Sequence, residues 1–128
     1  MKKIVFLISL FLSTLFADVN WVDYDDAIEL AEEENKIIMV MLSREGCSGC
    51  EYMKDIVFEN DDISALLAKK FISVHVDIQQ DFIPSGLTYI GTPTFYFLDK
   101  DEKKLERIDG GKNAKSFMDL LKKVIAKN

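Results

Sequence analysis

The sequence predicts an α/β domain, a three-layer sandwich in which a central mixed sheet is flanked by helices. Segments with helical spacing alternate with short strand-like segments from residue 24 to the end. One strand candidate, Ile37-Ile38-Met39-Val40-Met41-Leu42, is apolar at every position, as a parallel strand covered on both sides would be. Near the end, two strand candidates joined by a polar turn lead into a last amphipathic helix, adding a hairpin to the sheet.

Each element has its own signal. Tyr24, Ala27, Ile28 and Ala31 fall on one helical face, with Glu29, Glu32 and Glu33 turned outward and Asp23 placed to cap the start. The apolar strand follows, then the cysteine segment, with a helix expected from Ser48 to about Phe58. A further helix is marked by Ile63, Leu66 and Leu67. In Phe71–Asp77, Ile72, Val74 and Val76 alternate with Ser73, His75 and Asp77, the period of a strand. A looser stretch over 78–91 leads to Gly91-Thr92-Pro93-Thr94 and the aromatic strand Thr94–Leu98. Asp99–Lys103 is a polar turn, Lys104–Ile108 a short strand, and Gly110-Gly111 a break. Phe117, Leu120, Leu121 and Val124 mark the buried face of the last helix. Trp21 is expected to pin the first segment to the body, and Phe95, Tyr96, Phe97, Met39 and Met41 to fill the core.

The amino end reads differently. Met1-Lys2-Lys3 is positive, Ile4 to Phe16 is mostly apolar, and Ala17 precedes the polar Asp18-Val19-Asn20. That is the pattern of a secretory signal peptide over residues 1–17, cut near Ala17, with one domain over 18–128. The apolar run is shorter than the roughly 20 residues that span a bilayer, although an uncleaved tether is the rival reading. The chain carries a net charge of −6, and loss of Lys2 and Lys3 would make the domain more acidic still. An acidic surface repels phosphate backbones and anionic headgroups, which argues against nucleic acid and membrane-surface partners.

The candidate chemistry lies in Ser43-Arg44-Glu45-Gly46-Cys47-Ser48-Gly49-Cys50, which holds both cysteines of the chain. Structural zinc wants four ligands, and beyond two thiols the chain offers one imidazole, His75. Haem attachment would want a histidine where Glu51 stands. A structural disulfide is open to an exported protein, but a loop this short would contribute only about 2 kcal/mol, and a domain of this size has little need of it. The redox reading has a mechanism. A helix start carries positive potential that favours a thiolate, and only the thiolate attacks a disulfide. Cys47, at the open end, would attack. Cys50 lies one turn on, in helical register with Met53 and Val57, and would point coreward. Arg44 would favour the anion, while Glu45 and Glu51 would oppose it. His75 reads as a partly exposed strand residue without a catalytic role.

With these residues in place, the chain resembles the thioredoxin-fold family over nearly all of residues 19–128. An apolar strand feeds Cys47-Ser48-Gly49-Cys50, Asp77 closes the next strand, Thr92-Pro93 precedes an aromatic strand, and Gly110 precedes the last helix. The long acidic first helix and Asn35-Lys36 resemble the exported branch that includes the carboxy-terminal domain of the membrane electron carrier DsbD. The resemblance implies a thioredoxin fold without a cofactor or metal. It implies Cys47 as nucleophile, Cys50 as resolving thiol and Pro93 as a cis-proline beside them. The backbone of Thr92 would pair with an extended substrate segment, and Gly110 would leave room for it.

The departures are as specific. Gly46 stands where thioredoxin has tryptophan, Met41 where it has a buried aspartate, and Ser73 where it has the lysine near that aspartate. The usual proton acceptor for the resolving thiol is therefore missing, and Ser48-Gly49 replaces Gly-Pro between the cysteines. The expected function is a periplasmic thiol–disulfide oxidoreductase of reductase or isomerase type, acting on exported protein disulfides or thiols and supplied by an inner-membrane thiol donor. The rival is a non-catalytic binding or assembly module with a closed disulfide. A metal carrier is the third option.

Overall fold

The computed structural model describes residues 18–128, so the signal-peptide reading of residues 1–17 lies outside the described residues. The elements run β1 (Trp21–Val22), α1 (Tyr24–Glu34), β2 (Ile37–Ser43), α2 (Ser48–Tyr52) continuing as a π-helical turn (Met53–Val57), α3 (Asp61–Lys70), β3 (Phe71–Asp77), β4 (Thr94–Leu98), β5 (Lys104–Asp109) and α4 (Ala114–Lys127). They form a five-stranded sheet in the order β1-β3-β2-β4-β5. β3 is parallel to β1 and β2, while β4 runs antiparallel to both β2 and β5. This mixed sheet, with helices on both faces, is the expected three-layer sandwich and has the thioredoxin fold.

Two cores follow from strand alternation. On one face Ile38, Val40 and Leu42 of β2 join Ile72, Val74 and Val76 of β3 against Ala27 and Ala31 of α1. On the other, Ile37, Met39 and Met41 meet Phe95 and Phe97 of β4 and the inner faces of α2, α3 and α4. Ser73 alternates with apolar neighbours yet is buried, because helices cover both faces. The pattern marked which face it points to, not exposure. Trp21 joins the sheet through a strand too short to show a period, and its ring packs 5.6 Å from Phe58 and 5.7 Å from His75.

Helix ends follow local chemistry. Asn60 accepts from the N–H groups of Asp62 and Ile63 at the start of α3, and Asn113 accepts from Ser116 at the start of α4. Asp23 occupies the cap position of α1, but its side chain makes no capping bond. The segment after the cysteines also departs from expectation. Instead of an uninterrupted α-helix, the Phe58 N–H donates to the Met53 carbonyl, closing a wider turn at 2.8 Å. That turn brings Phe58 into line with Met53, and both are buried with Val57.

Candidate active site

β2 ends at Ser43, on the edge between the parallel and antiparallel halves of the sheet, and the chain turns through Arg44-Glu45-Gly46 to Cys47. Gly46 has φ +74°, a left-handed conformation that a tryptophan or any other residue with a Cβ would hold only under strain. Cys47 then caps α2. Its Sγ accepts from the Cys50 N–H at 3.2 Å, and its carbonyl accepts from the Glu51 N–H at 3.1 Å. The two cysteines are joined by a disulfide with Cα atoms 5.2 Å apart. An N–H aimed at this sulfur stabilises an anion there once the bond is reduced.

Cys50 points coreward, as its register with Met53 and Val57 required. Cys47 is less open than expected, at 5% exposed against 2% for Cys50. Segments remote in sequence approach the cysteine motif. A Cβ placed on Gly49 would lie 3.1 Å from Pro93 Cδ, and one on Gly111 would lie 3.7 Å from the Gly49 carbonyl oxygen. Pro93 and the turn after β5 therefore border the cysteine motif from two sides.

The Thr92–Pro93 peptide is cis, and the Pro93 carbonyl accepts from the Gly110 N–H at 2.8 Å. Thr94 Oγ1 donates to the Gly91 carbonyl at 2.7 Å, bracing the same turn. Cys47, Cys50, Thr92, Pro93 and Gly110 are thus gathered at one end of the sheet. Gly110 has φ +86°, and a Cβ there would meet nothing within 4 Å, so its conformation calls for glycine and the space before it is open.

Behind Cys50 the core is apolar. Met41, fully buried, sits in register with Phe95 on β4 and His75 on β3. His75 is half-buried, and it lines a cavity of about 200 Å³ together with Cys50, Ser43, Arg44, Lys54 and Asp77. Its Nε2 is buried and has no hydrogen-bond partner among the described residues. Burial, and then the charge of Lys54, hold the imidazole below its ordinary pKa against the opposing pull of Asp81 and Asp77. Sequence reasoning gave His75 no role. The available signal was strand parity, which puts it on the face of Met39 and Met41 once the β2–β3 register is known.

A family model described as a thioredoxin-like domain matches residues 24–125. Thioredoxin H4-2 of Oryza sativa subsp. japonica is 32% identical over 88 residues, covering 69% of this chain and 64% of that protein. The chain spans between 8% and 64% of the length of the curated relatives it matches. The solution structure of a thioredoxin from Thermus thermophilus aligns with a TM-score of 0.72 at 26% identity, covering 86% of this chain and 89% of that one. The reduced carboxy-terminal domain of DsbD from Neisseria meningitidis shares the fold, with a TM-score of 0.57 at 17% identity over 77% of this chain and 90% of that one.

Proposed function

The chain belongs to the thioredoxin-like domain family, and on that premise we propose that it is an exported thiol–disulfide oxidoreductase working through Cys47 and Cys50. The observation that carries this reading is the cap of α2, where the Cys47 sulfur receives a backbone N–H and is joined to Cys50. In the reduced protein the Cys47 thiolate attacks a substrate disulfide, forming a mixed disulfide and expelling one substrate thiolate. Cys50 then attacks the Cys47 sulfur, closing the intramolecular disulfide and releasing the second substrate thiol. Two electrons pass to the substrate.

Thr92, Pro93 and Gly110 form the substrate groove of this reading. The main chain of Thr92 pairs with an extended segment, and the open space before Gly110 admits it. Contacts of this kind read backbone, so substrates are exported protein disulfides of varied sequence. Residues 1–17 act as a cleaved signal that delivers residues 18–128 to the periplasm, where an inner-membrane thiol carrier returns Cys47 and Cys50 to the dithiol. Threonine before the proline favours reductase or isomerase chemistry, from the resemblance. The potential measured against glutathione is expected near the thioredoxin end, about −270 mV, rather than the strongly oxidising end, about −120 mV. A value at the oxidising end reverses the direction of flow.

The near-complete cover over Cys47 favours a second reading, a binding module whose disulfide stays shut. The two differ in one measurement. Reduced protein treated with iodoacetamide near neutral pH is expected to lose one thiol rapidly, at Cys47. Alkylation as slow as at an ordinary buried thiol would favour the module and remove the oxidoreductase reading.

A further inference from the structure

Closing the mixed disulfide requires Cys50 to lose a proton, and its surroundings oppose that. Met41, Met53, Val57 and Phe95 pack around it in the same core cluster, and an apolar setting raises a thiol's pKa. A base is needed within reach of this buried sulfur. The cavity that Cys50 shares with His75 contains few groups suited to the task. Glu45 and Glu51 are exposed at its rim, and Asp77 Oδ1 already accepts the Gln79 N–H at 2.8 Å. Carboxylates are also much weaker bases than a thiolate, so proton transfer to them is steeply uphill, whereas imidazole lies closer. His75 has the required acceptor capacity. Its Nε2 is buried without a partner among the described residues, an arrangement that costs stability and that a catalytic use would explain.

Resting on the oxidoreductase reading above, we propose that His75 is the proton acceptor for Cys50, across the cavity they share, at a site where Met41 offers no base. Neutral His75 takes the proton of the Cys50 thiol. The Cys50 sulfur attacks Cys47, the Cys47–Cys50 bond forms as the Cys47–substrate bond breaks, and the electron pair leaves on the substrate sulfur. The imidazolium then returns its proton to the departing thiolate. The only oxidant consumed is the substrate disulfide. Around His75 are Lys54 from the π turn, Asp77 at the end of β3 and Asp81 beyond it, and Arg44, Glu45 and Glu51 around the cavity, with Trp21 of β1 against its ring; Asp23, Tyr24, Asp25 and Glu102 line a second hollow that His75 also borders. Burial, and then Lys54, hold the ring below its ordinary pKa and so favour the neutral form, which accepts a proton.

The test separates the two sulfurs. The reduced protein is mixed in a stopped-flow cell with the aromatic disulfide 5,5′-dithiobis(2-nitrobenzoate), which releases one coloured thiolate when Cys47 attacks and a second when Cys50 closes the ring. His75→Gln is expected to leave the first phase unchanged and to slow the second by at least about tenfold near neutral pH. The second phase of the variant should rise in proportion to hydroxide, whereas the wild type should hold a plateau down to the histidine's own lowered pKa. An unaltered second phase with an unaltered pH profile would overturn the proposal. Absence of the first phase in the wild type would sink the parent reading and this one with it, a distinguishable result. A second measurement uses no histidine variant. His75 is the only histidine of the chain, so its ring resonances can be titrated by NMR in the disulfide and dithiol forms. The two titrations should differ, and Cys50→Ala in the reduced state should cancel the difference. Identical curves in both redox states would overturn the assignment.

Discussion

Along β2, Ile38, Val40 and Leu42 face α1, while Ile37, Met39 and Met41 face α2, α3 and α4, and the two sides are filled in different ways. The α1 side is mostly aliphatic. Ala27 and Ala31 let the helix lie near the sheet, and the Tyr96 hydroxyl is spent on Thr88, donating to its carbonyl at 2.7 Å and accepting its N–H at 3.1 Å. The opposite side holds thioethers, both cysteines and rings in edge-on contact, such as Phe58 with Phe117 at 5.7 Å. It also runs out at the carboxyl end of β2, where neighbouring strands diverge in direction and loops supply Arg44, Pro93 and Gly110. Crevices in open α/β sheets form where strand order switches in this way. The α1 face has a hollow of its own, lined by Tyr24, Ile28, Val74 and Val76, but no cysteine lies on that face, while the other face is left incomplete at the edge where the chemistry is proposed.

Cys47→Ser should have the largest effect, reducing dithiothreitol-driven reduction of insulin to the uncatalysed level. The variant should lose only about 2 kcal/mol of stability with its short disulfide loop. Turnover equal to wild type would remove Cys47 from the attacking role and erase the functional contrast between the faces. Next come the cores. Phe117→Ala empties the centre of the aromatic side and should lower unfolding free energy by about 3–5 kcal/mol in urea. Ala31→Leu overfills the fully buried contact of α1 with the sheet and should cost about 1–3 kcal/mol while leaving turnover per folded molecule unchanged. A change in that turnover would show that the two faces are coupled.

Gly49→Ala sharpens the comparison at the site itself. Alanine in a helix ordinarily gains about 1 kcal/mol over glycine, but here its Cβ would press on Pro93 Cδ at 3.1 Å. The melting temperature should move little while insulin reduction slows several-fold, because the new methyl stands between the motif and the proline. A clear rise in both would mean that Pro93 yields freely. The smallest effect is expected at Glu106, where Lys127 at 2.8 Å and Lys123 at 3.3 Å tie β5 to α4. The hydrogen bond from Lys127 leads in holding this carboxyl below its ordinary pKa. A depressed carboxylate contributes stability that is present above its unfolded pKa, about 4.3, and lost as pH falls through the folded value. Glu106→Gln should therefore cost no more than about 1 kcal/mol near neutral pH, with the gap to wild type closing in acid and in high salt. A gap that widens in acid would contradict the sign.

Much of the architecture could be read from side-chain periodicity. β3 and β4 run from Phe71 to Asp77 and from Thr94 to Leu98 as their patterns required, and the buried face of α4 is that of Phe117, Leu120, Leu121 and Val124. β1 was not legible, since two residues have no period and Trp21 pairs only because β3 presents an edge. The π turn was equally hidden, because no proline or glycine interrupts residues 51–58 and the wider hydrogen bond follows from burying Phe58. At the site, Cys50 pointed inward by its register alone, whereas the approach of Pro93 to Gly49 and the place of His75 depended on neighbours far along the chain.

By itself the sequence determined the alternation of elements, the inward faces and the capping sulfur at the start of α2. These depend on residues within a turn or two of one another, where the 3.6- and 2-residue periods act. The tertiary structure alone decided that Pro93 closes against Gly49, that Gly110 bonds back to Pro93, and that the single histidine shares a cavity with Cys50. Those approaches follow from strand register and loop docking, which are set by fitting both cores at once rather than by any local preference.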